Sequence, residues 1–245
     1  MQVSLGRIIK KLSSFILTTN ILLGLPAGAQ AITFTGHTSG EWGSPNTDNQ
    51  SALIDLSSED GGTNNRLTWG EPVFPGFENY VQFNGIDFTT EPNNIFKLGK
   101  LYYQNGRTFV ETNFDGDFPL HLELAFSLPL ERTQSFRFLF NILNTPNNPE
   151  DPDVDDDDIL LFSAQGMSSE TFDYEGVEYT LQLIGFSKDG GITILNEFKS
   201  PELDLSEADL YGKITFAPSS ASVPEPTAIL GLSILSIYLA TRKRK

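Results

Sequence analysis

The chain has 245 residues, no cysteine, two histidines and a formal net charge of −16. Without cysteine it cannot form disulfide bonds, thiolate metal sites or iron–sulfur clusters. The negative charge argues against nucleic-acid binding, which requires a basic surface. Aromatic residues make up 11% of the chain, which is too many for a wholly disordered protein and indicates a folded domain.

The charge is unevenly distributed along the chain. Residues 1–31 and 227–245 are basic and contain no Asp or Glu. The segment between them, residues 32–226, has nine basic and 32 acidic residues, a net charge of −23. This asymmetry predicts an acidic domain between two targeting segments.

Residues 1–31 have the features of a secretory signal peptide. Three basic residues precede an apolar stretch from Phe15 to Leu25, which Pro26 ends. Ala29 and Ala31 place small residues where signal peptidase cleaves, and Ala27 with Ala29 offers an alternative site two residues earlier. The apolar stretch is shorter than the about 20 residues of a membrane span. We therefore favour cleavage over a retained N-terminal anchor.

The acidic segment has the residue patterning of antiparallel strands. Polar and apolar residues alternate, and this period of two places one side of a strand in the core and the other in water. Asn84-Gly85, Asn105-Gly106 and Asp189-Gly190 tolerate positive φ and predict turns. About ten strands are expected, at Ile32–Thr35, Arg66–Trp69, Tyr80–Phe83, Phe96–Tyr103, His121–Phe126, Ser135–Phe140, Ile159–Phe162, Tyr179–Leu183, Ile192–Leu195 and Lys213–Phe216.

This pattern predicts an all-β fold, a single antiparallel β-sandwich of jelly-roll type over residues 32–217. A linker, residues 218–226, follows it. The only helical candidate is Leu203–Leu210, an acidic stretch in which Ser206 could serve as an N-cap.

The order of several segments in this domain resembles the choice-of-anchor K domain. That domain occurs in secreted bacterial proteins that end in interchangeable anchoring signals, and the resemblance implies sorting without implying a catalytic activity. The segments are Leu67–Gly70, a hairpin at Phe83-Asn84-Gly85, Phe96–Gly106, Asp157-Asp158-Ile159 after an Asn-rich loop, and Tyr179–Phe186.

An acidic segment, Glu150–Asp158, places seven carboxylates in nine residues. Asp151, Asp153, Asp155 and Asp157 have the 1-3-5-7 spacing of an EF-hand loop, and calcium prefers such oxygen ligands. The EF-hand glycine and the final bidentate acid are missing, so the hypothesis is a looser calcium site. The alternative is a solvated acidic loop between two strands.

Trp42 follows Glu41 in a Gly/Ser-rich segment and is a candidate for stacking on a sugar ring. Its alternative role, like that of Trp69, is packing. For catalysis the sequence offers only His37, expected in a polar loop, and His121, expected to begin a strand. No serine-hydrolase elbow, zinc-protease motif or phosphate-binding loop is present. We therefore expect a protein that is not an enzyme.

The C-terminal segment begins with Pro224, Glu225 and Pro226, followed by an uncharged run, Ala228–Ala240. Four basic residues then end the sequence, in the arrangement of a stop-transfer element: Arg242, Lys243, Arg244 and Lys245.

This order of motif, short apolar helix and basic tail resembles the PEP-CTERM sorting signal of Gram-negative bacteria, including cyanobacteria. The resemblance implies recognition by an exosortase, an integral-membrane cysteine transpeptidase that cuts near the Pro-Glu-Pro motif. A plain tail anchor in the inner membrane is the alternative.

Together these features predict a secreted, non-enzymatic protein that is transiently anchored in the membrane by its C-terminal helix and then released to the cell surface or extracellular matrix. Signal peptidase and exosortase would process it, and exopolysaccharide is the expected partner. A carbohydrate-recognition module is the main alternative, and a glycosidase-like enzyme with paired carboxylates is a more distant one.

Overall fold

The fold is described from a computed structural model for residues 32–114, 116–145, 157–167 and 171–216, without the side chains of residues 164–167. These residues form thirteen strands and one short 3₁₀ turn, Val110–Thr112. In chain order the strands are β1 (Phe34–Trp42), β2 (Ile54–Ser57), β3 (Arg66–Trp69), β4 (Asn79–Gly85), β5 (Asp87–Thr90), β6 (Ile95–Asn105), β7 (Phe118–Leu128), β8 (Arg132–Leu143), β9 (Asp158–Met167), β10 (Thr171–Tyr174), β11 (Val177–Ser187), β12 (Glu197–Ser200) and β13 (Asp204–Phe216).

The strands form two antiparallel sheets that face each other as a β-sandwich. The first sheet has the order β12-β9-β8-β7-β1-β5, and the second has the order β10-β11-β13-β6-β4-β3-β2. All of the strand pairings are antiparallel. The predicted all-β, two-sheet architecture is therefore confirmed, with more strands than the ten expected.

Aromatic side chains fill the space between the sheets. Phe34 of the first sheet meets Tyr179 of the second with ring centroids 5.2 Å apart. Phe162 and Phe186, again from opposite sheets, stack at 4.7 Å. Burial of each such side chain contributes about 1.5–3 kcal/mol, so the core is held together without disulfides.

The predicted turn dipeptides join the two sheets instead of closing hairpins. Asn84-Gly85 ends β4 in the second sheet, and the chain then enters β5 in the first. A Cβ atom added to Gly85 would overlap the carbonyl oxygen of Thr38 on β1. Glycine is needed there because two backbones approach closely, and the predicted hairpin at this position is wrong. Asn105-Gly106 and Asp189-Gly190 also lie at crossings between the sheets.

The helix predicted at Leu203–Leu210 is wrong, because this segment belongs to strand β13. Ser206, Ala208 and Leu210 point inward, whereas Leu205 and Glu207 are exposed. The alternation is present, but small and polar residues occupy the inner side, so the pattern did not stand out as a strand. Ile192–Leu195 is also not a separate strand. It lies in the loop between β11 and β12, where only Leu195 pairs with Phe186.

The four strands that the sequence analysis missed are β2, β5, β10 and β12. Each has four residues and each forms an edge of a sheet. Short edge strands limit the unpaired backbone that a sheet offers to other chains. Four residues are also too few for a clear alternation, which explains why they were not predicted.

Candidate functional site

The structure buries Trp42, the residue predicted to stack on a glycan. Trp42 is the last residue of β1 and is 0% exposed. Its ring centroid lies 5.3 Å from those of Phe118 and Phe140. The glycan-stacking prediction for Trp42 is wrong, because a ring enclosed between the sheets cannot reach a polysaccharide. Trp69 is also a core residue, 1% exposed.

Most other predicted site residues lie outside the described residues, and so does the apolar run 228–240. Within the described ranges, no helix is long and apolar enough to cross a membrane. Asp157 is half-buried just before β9. No cluster of three or more His, Asp or Glu side chains able to hold a metal was found in the described part of the chain, and the calcium site stays a prediction. The predicted residues outside the described ranges are Ala29, Ala31, Asp151, Asp153, Asp155, Pro224, Glu225, Pro226, Arg242, Lys243, Arg244 and Lys245.

Both histidines lie on the outer face of the first sheet. His37 is part of β1 and not of a loop, and His121 lies within β7, opposite Glu41 of β1. The Nδ1 atom of His37 is 2.8 Å from Oδ1 of Asp87, whose side chain is 93% exposed. Such a solvent-exposed pair interacts weakly, so His37 is poorly placed to activate a nucleophile.

The outer face of the second sheet carries two half-buried tyrosines. In the pairing of β4 with β6, Tyr80 lies opposite Gln104 and Gln82 lies opposite Tyr102. The two tyrosines therefore occupy one diagonal of a four-residue patch, about 7–8 Å apart between Cα atoms. Arg66 on β3 lies opposite Gln82 and extends the patch. We call these five residues the tyrosine face.

Arg66 orders one side of the tyrosine face. Its Nε and Nη2 atoms donate to Oε1 of Gln82 at 2.9 and 2.6 Å, and its guanidinium lies 4.2 Å from the centroid of the Tyr80 ring. Nη1 forms an ion pair with Glu59 at 3.2 Å. Gln82 in turn donates from Nε2 to Oδ1 of Asn84 at 2.8 Å. These contacts leave Arg66 and Gln82 little freedom to reorient.

The other side of the tyrosine face is ordered in a similar way. Lys100 Nζ lies 5.8 Å from the ring centroid of Tyr102 and is 2.7 Å from Oε2 of Glu207. The hydrogen bond to Glu207 raises the pKa of Lys100, which keeps the amine charged. Gln104 donates from Nε2 to the carbonyl oxygen of Glu78 at 2.8 Å.

Tyr80 keeps its proton at neutral pH. Burial raises the pKa of Tyr80, Arg66 opposes this effect, and the neighbouring Glu59 and Tyr102 add to it, so that the net shift is upward. A neutral phenol can both donate and accept a hydrogen bond.

The tyrosine face can bind a molecule that presents both apolar and hydroxyl groups. Tyrosine rings supply rigid, amphipathic contact surface at a low cost in conformational entropy. The amide and guanidinium groups supply donors and acceptors at positions that are already ordered, which lowers the cost of binding. The sequence predicts Tyr80 and Tyr102 on separate strands, and only the β4–β6 register brings them together on one diagonal of the outer face.

A second group of polar residues is buried between the sheets and links them. Tyr103 Oη on β6 donates to Oδ2 of Asp158 on β9 at 3.2 Å, and the backbone N–H of Thr145 donates to Oδ1 of the same carboxylate at 2.9 Å. Asn105 and Tyr103 also bond to Ser200 on β12. Burial raises the pKa of Tyr103 well above its usual value, and the negative charge of Asp158 adds to this effect. Asp158, the last carboxylate of the acidic segment, is therefore a structural residue.

No known family model matches this sequence, and no curated protein matches it. The interpretation of the site therefore rests on its own geometry and chemistry.

Proposed function

We propose that the protein is a secreted, non-enzymatic β-sandwich of jelly-roll type that binds polysaccharide at the cell surface or in the extracellular matrix. The tyrosine face is the observation that supports this function best. In this proposal the N-terminal signal peptide directs secretion and the C-terminal sorting signal directs the protein to the cell surface or matrix. Signal peptidase and exosortase are the processing enzymes. The membrane is contacted only through the C-terminal helix, before processing.

The shape of the tyrosine face favours a polymer over a small molecule. The face lies on an open sheet and reaches from β3 across β4 to β6, with Glu207 of β13 at its margin. The two strand spacings from β3 to β6 correspond to about 10 Å. An extended chain of sugar rings could lie across this distance with apolar ring faces on Tyr80 and Tyr102.

The charge of the domain favours a neutral polysaccharide. Residues 32–226 have a net charge of −23, which repels a strongly acidic polymer. The two basic residues beside the tyrosines do not offset this charge, because Arg66 pairs with Glu59 and Lys100 pairs with Glu207.

Binding without hydrolysis agrees with the chemistry of the face. Glycoside hydrolysis requires two carboxyl groups on either side of the scissile bond, about 5–9.5 Å apart. The carboxylates that adjoin the tyrosines, Glu59 and Glu207, each form an ion pair with a basic residue of the face or its margin. Both carboxylates are therefore engaged by cations of the protein itself.

The binding proposal is tested by affinity electrophoresis of the full chain in gels that contain one defined polysaccharide. We expect retardation by neutral hydroxyethylcellulose or glucomannan and little by alginate. The double variant Tyr80→Ala/Tyr102→Ala is expected to bind at least tenfold more weakly, a change of about 1.4 kcal/mol.

The matched control is the double variant Thr133→Ala/Ser135→Ala on the exposed outer face of the first sheet. It is expected to bind like the wild type. Equal retardation of wild type and tyrosine variant, or no retardation by any neutral polymer, would show that the tyrosine face is not a polysaccharide site.

The sorting part of the proposal is tested separately by the intact mass of the secreted protein. We expect the mature chain to end near Pro226, and replacement of Pro224, Glu225 and Pro226 by Ala to leave the precursor in the membrane. Secreted protein that retains Arg242–Lys245 would exclude this processing.

A further inference from the structure

A cleft of about 390 Å³ lies away from the tyrosine face, where β12 of the first sheet meets β11 and β13 of the second. Phe186 of β11, Phe198 of β12 and Ala208 of β13 line it, together with Leu195 from the loop between β11 and β12. The volume falls in the range of about 300–1,000 Å³ that is typical of small-molecule sites. Polar and charged residues complete the lining, among them Lys188, Asp189, Glu197 and Lys199. The surface that the cleft presents is nevertheless mainly apolar, so burial of an apolar ligand group would provide the main driving force.

The loop that forms one wall of this cleft is well ordered by its own hydrogen bonds. Oδ1 of Asp189 accepts from Oγ of Ser187 at 2.7 Å and from the N–H of Thr193 at 2.9 Å. The backbones of Phe186 and Leu195 exchange two hydrogen bonds, both 2.8 Å long. The bonds to Asp189 lower its pKa, so this carboxylate stays ionised and is already occupied by protein donors.

Lys188 gives the cleft an available cation. Its Nζ atom lies 5.2 Å from the ring centroid of Phe198 and donates to the carbonyl oxygen of Lys199 at 3.1 Å. Within the described part of the chain it makes no ion pair, whereas Lys97 and Lys100 are each paired with a carboxylate. An ammonium group has three N–H donors, so two of those on Lys188 remain for a ligand.

We infer that this cleft binds a small amphiphilic organic acid, with its apolar body against Phe186, Leu195 and Phe198 and its carboxylate at Lys188 Nζ. The apolar body is necessary because the acidic domain repels a bare anion. A sugar acid fits less well, since the Asp189 acceptor that its hydroxyl groups would need is engaged by Ser187 and Thr193. The inference is independent of the tyrosine face.

The test is calorimetric titration of the full chain with three probes: 4-phenylbutyrate, its neutral amide 4-phenylbutyramide, and glucuronate. We expect 4-phenylbutyrate to bind at least tenfold more tightly than the amide and more tightly than glucuronate. Equal affinity for acid and amide, tighter binding of glucuronate, or no binding of 4-phenylbutyrate would overturn the inference.

Two variants connect the binding to this cleft. Lys188→Met keeps a side chain of similar length over Phe198 but removes the charge, so the tenfold preference for the acid should disappear. Lys213→Met, on β13 outside the cleft, should retain the preference. Leu195→Asp should weaken both aromatic probes at least tenfold. Unchanged titrations for Lys188→Met and Leu195→Asp would show that the probe binds elsewhere, and polysaccharide binding by these variants should equal that of the wild type.

Discussion

The outer faces of the two sheets are built from the same period-two strands but present different chemistry. On the first sheet, the outer positions of β5, β1, β7 and β8 carry no Tyr, Trp or Phe, and residues such as His37, Glu123 and Ser135 are exposed. On the second sheet, Tyr80 and Tyr102 are half-buried among ordered polar side chains. These four strands of the first sheet therefore pair and pack without aromatic rings on their outer positions. This difference supports a binding role for the tyrosine face.

The largest expected effect is the difference in stability loss between substitutions on the inner and the outer side of the first sheet. Phe138 on β8 points into the core and is 3% exposed, whereas Thr133 on the same strand is exposed. Phe138→Asp should cost at least about 4 kcal/mol in the free energy of unfolding, because it removes a large apolar group and buries an unpaired charge.

Urea denaturation at pH 7 measures this difference, and Thr133→Asp is the matched control, expected to change stability by less than about 0.5 kcal/mol. Similar losses in the two variants would contradict the assignment of inner and outer sides.

A smaller effect distinguishes the two adjacent tyrosines of β6. Tyr103→Phe removes the buried hydrogen bond to Asp158 and should destabilise the protein by about 1–3 kcal/mol. Tyr102→Phe should change the free energy of unfolding by less than about 0.5 kcal/mol, because Tyr102 lies on the outer face. If denaturation curves show the same stability for both variants, the link between Tyr103 and Asp158 does not stabilise the sandwich.

Two substitutions of Tyr80 separate the contribution of its ring to polysaccharide binding from that of its hydroxyl group. Tyr80→Phe should retain binding of a neutral polysaccharide within about twofold, and Tyr80→Ala should weaken it about tenfold, or about 1.4 kcal/mol. Affinity electrophoresis on the same gels compares the two variants. A loss that is equal in both would indicate that the hydroxyl, and not the stacking surface, is responsible for binding.

The smallest expected effect is on the loss of folding stability at alkaline pH. Burial raises the folded-state pKa of Tyr103 well above the value of about 10 that tyrosine has in an unfolded chain, so its contribution to stability is fully present below about pH 10 and is lost as the pH rises toward the folded-state pKa. Tyr103→Phe should therefore lose stability less steeply than the wild type above about pH 10. Thermal melts across this range measure the slopes, and equal slopes would contradict the assigned shift.

The alternation of polar and apolar residues was sufficient to predict most of the central strands. Within β6 the same alternation leaves Tyr102 half-buried on the outer face and Tyr103 in the core. It missed the four edge strands, because four residues paired on one side leave little pattern in the sequence. The Asn84-Gly85 dipeptide predicted a hairpin that does not form. Glycine is favoured both in a tight turn and where two backbones approach closely, and the second reason applies here.

By itself, the sequence therefore determined the all-β class, most of the central strands and the side of the sheet that many residues face, because these properties depend on neighbours along the chain. Tertiary structure alone decided that Trp42 ends β1 in the core and that Tyr80 lies beside Tyr102. It also decided that a cleft forms where β12 meets β11 and β13. These properties depend on strand register and on the packing of one sheet against the other, which involve residues far apart in sequence.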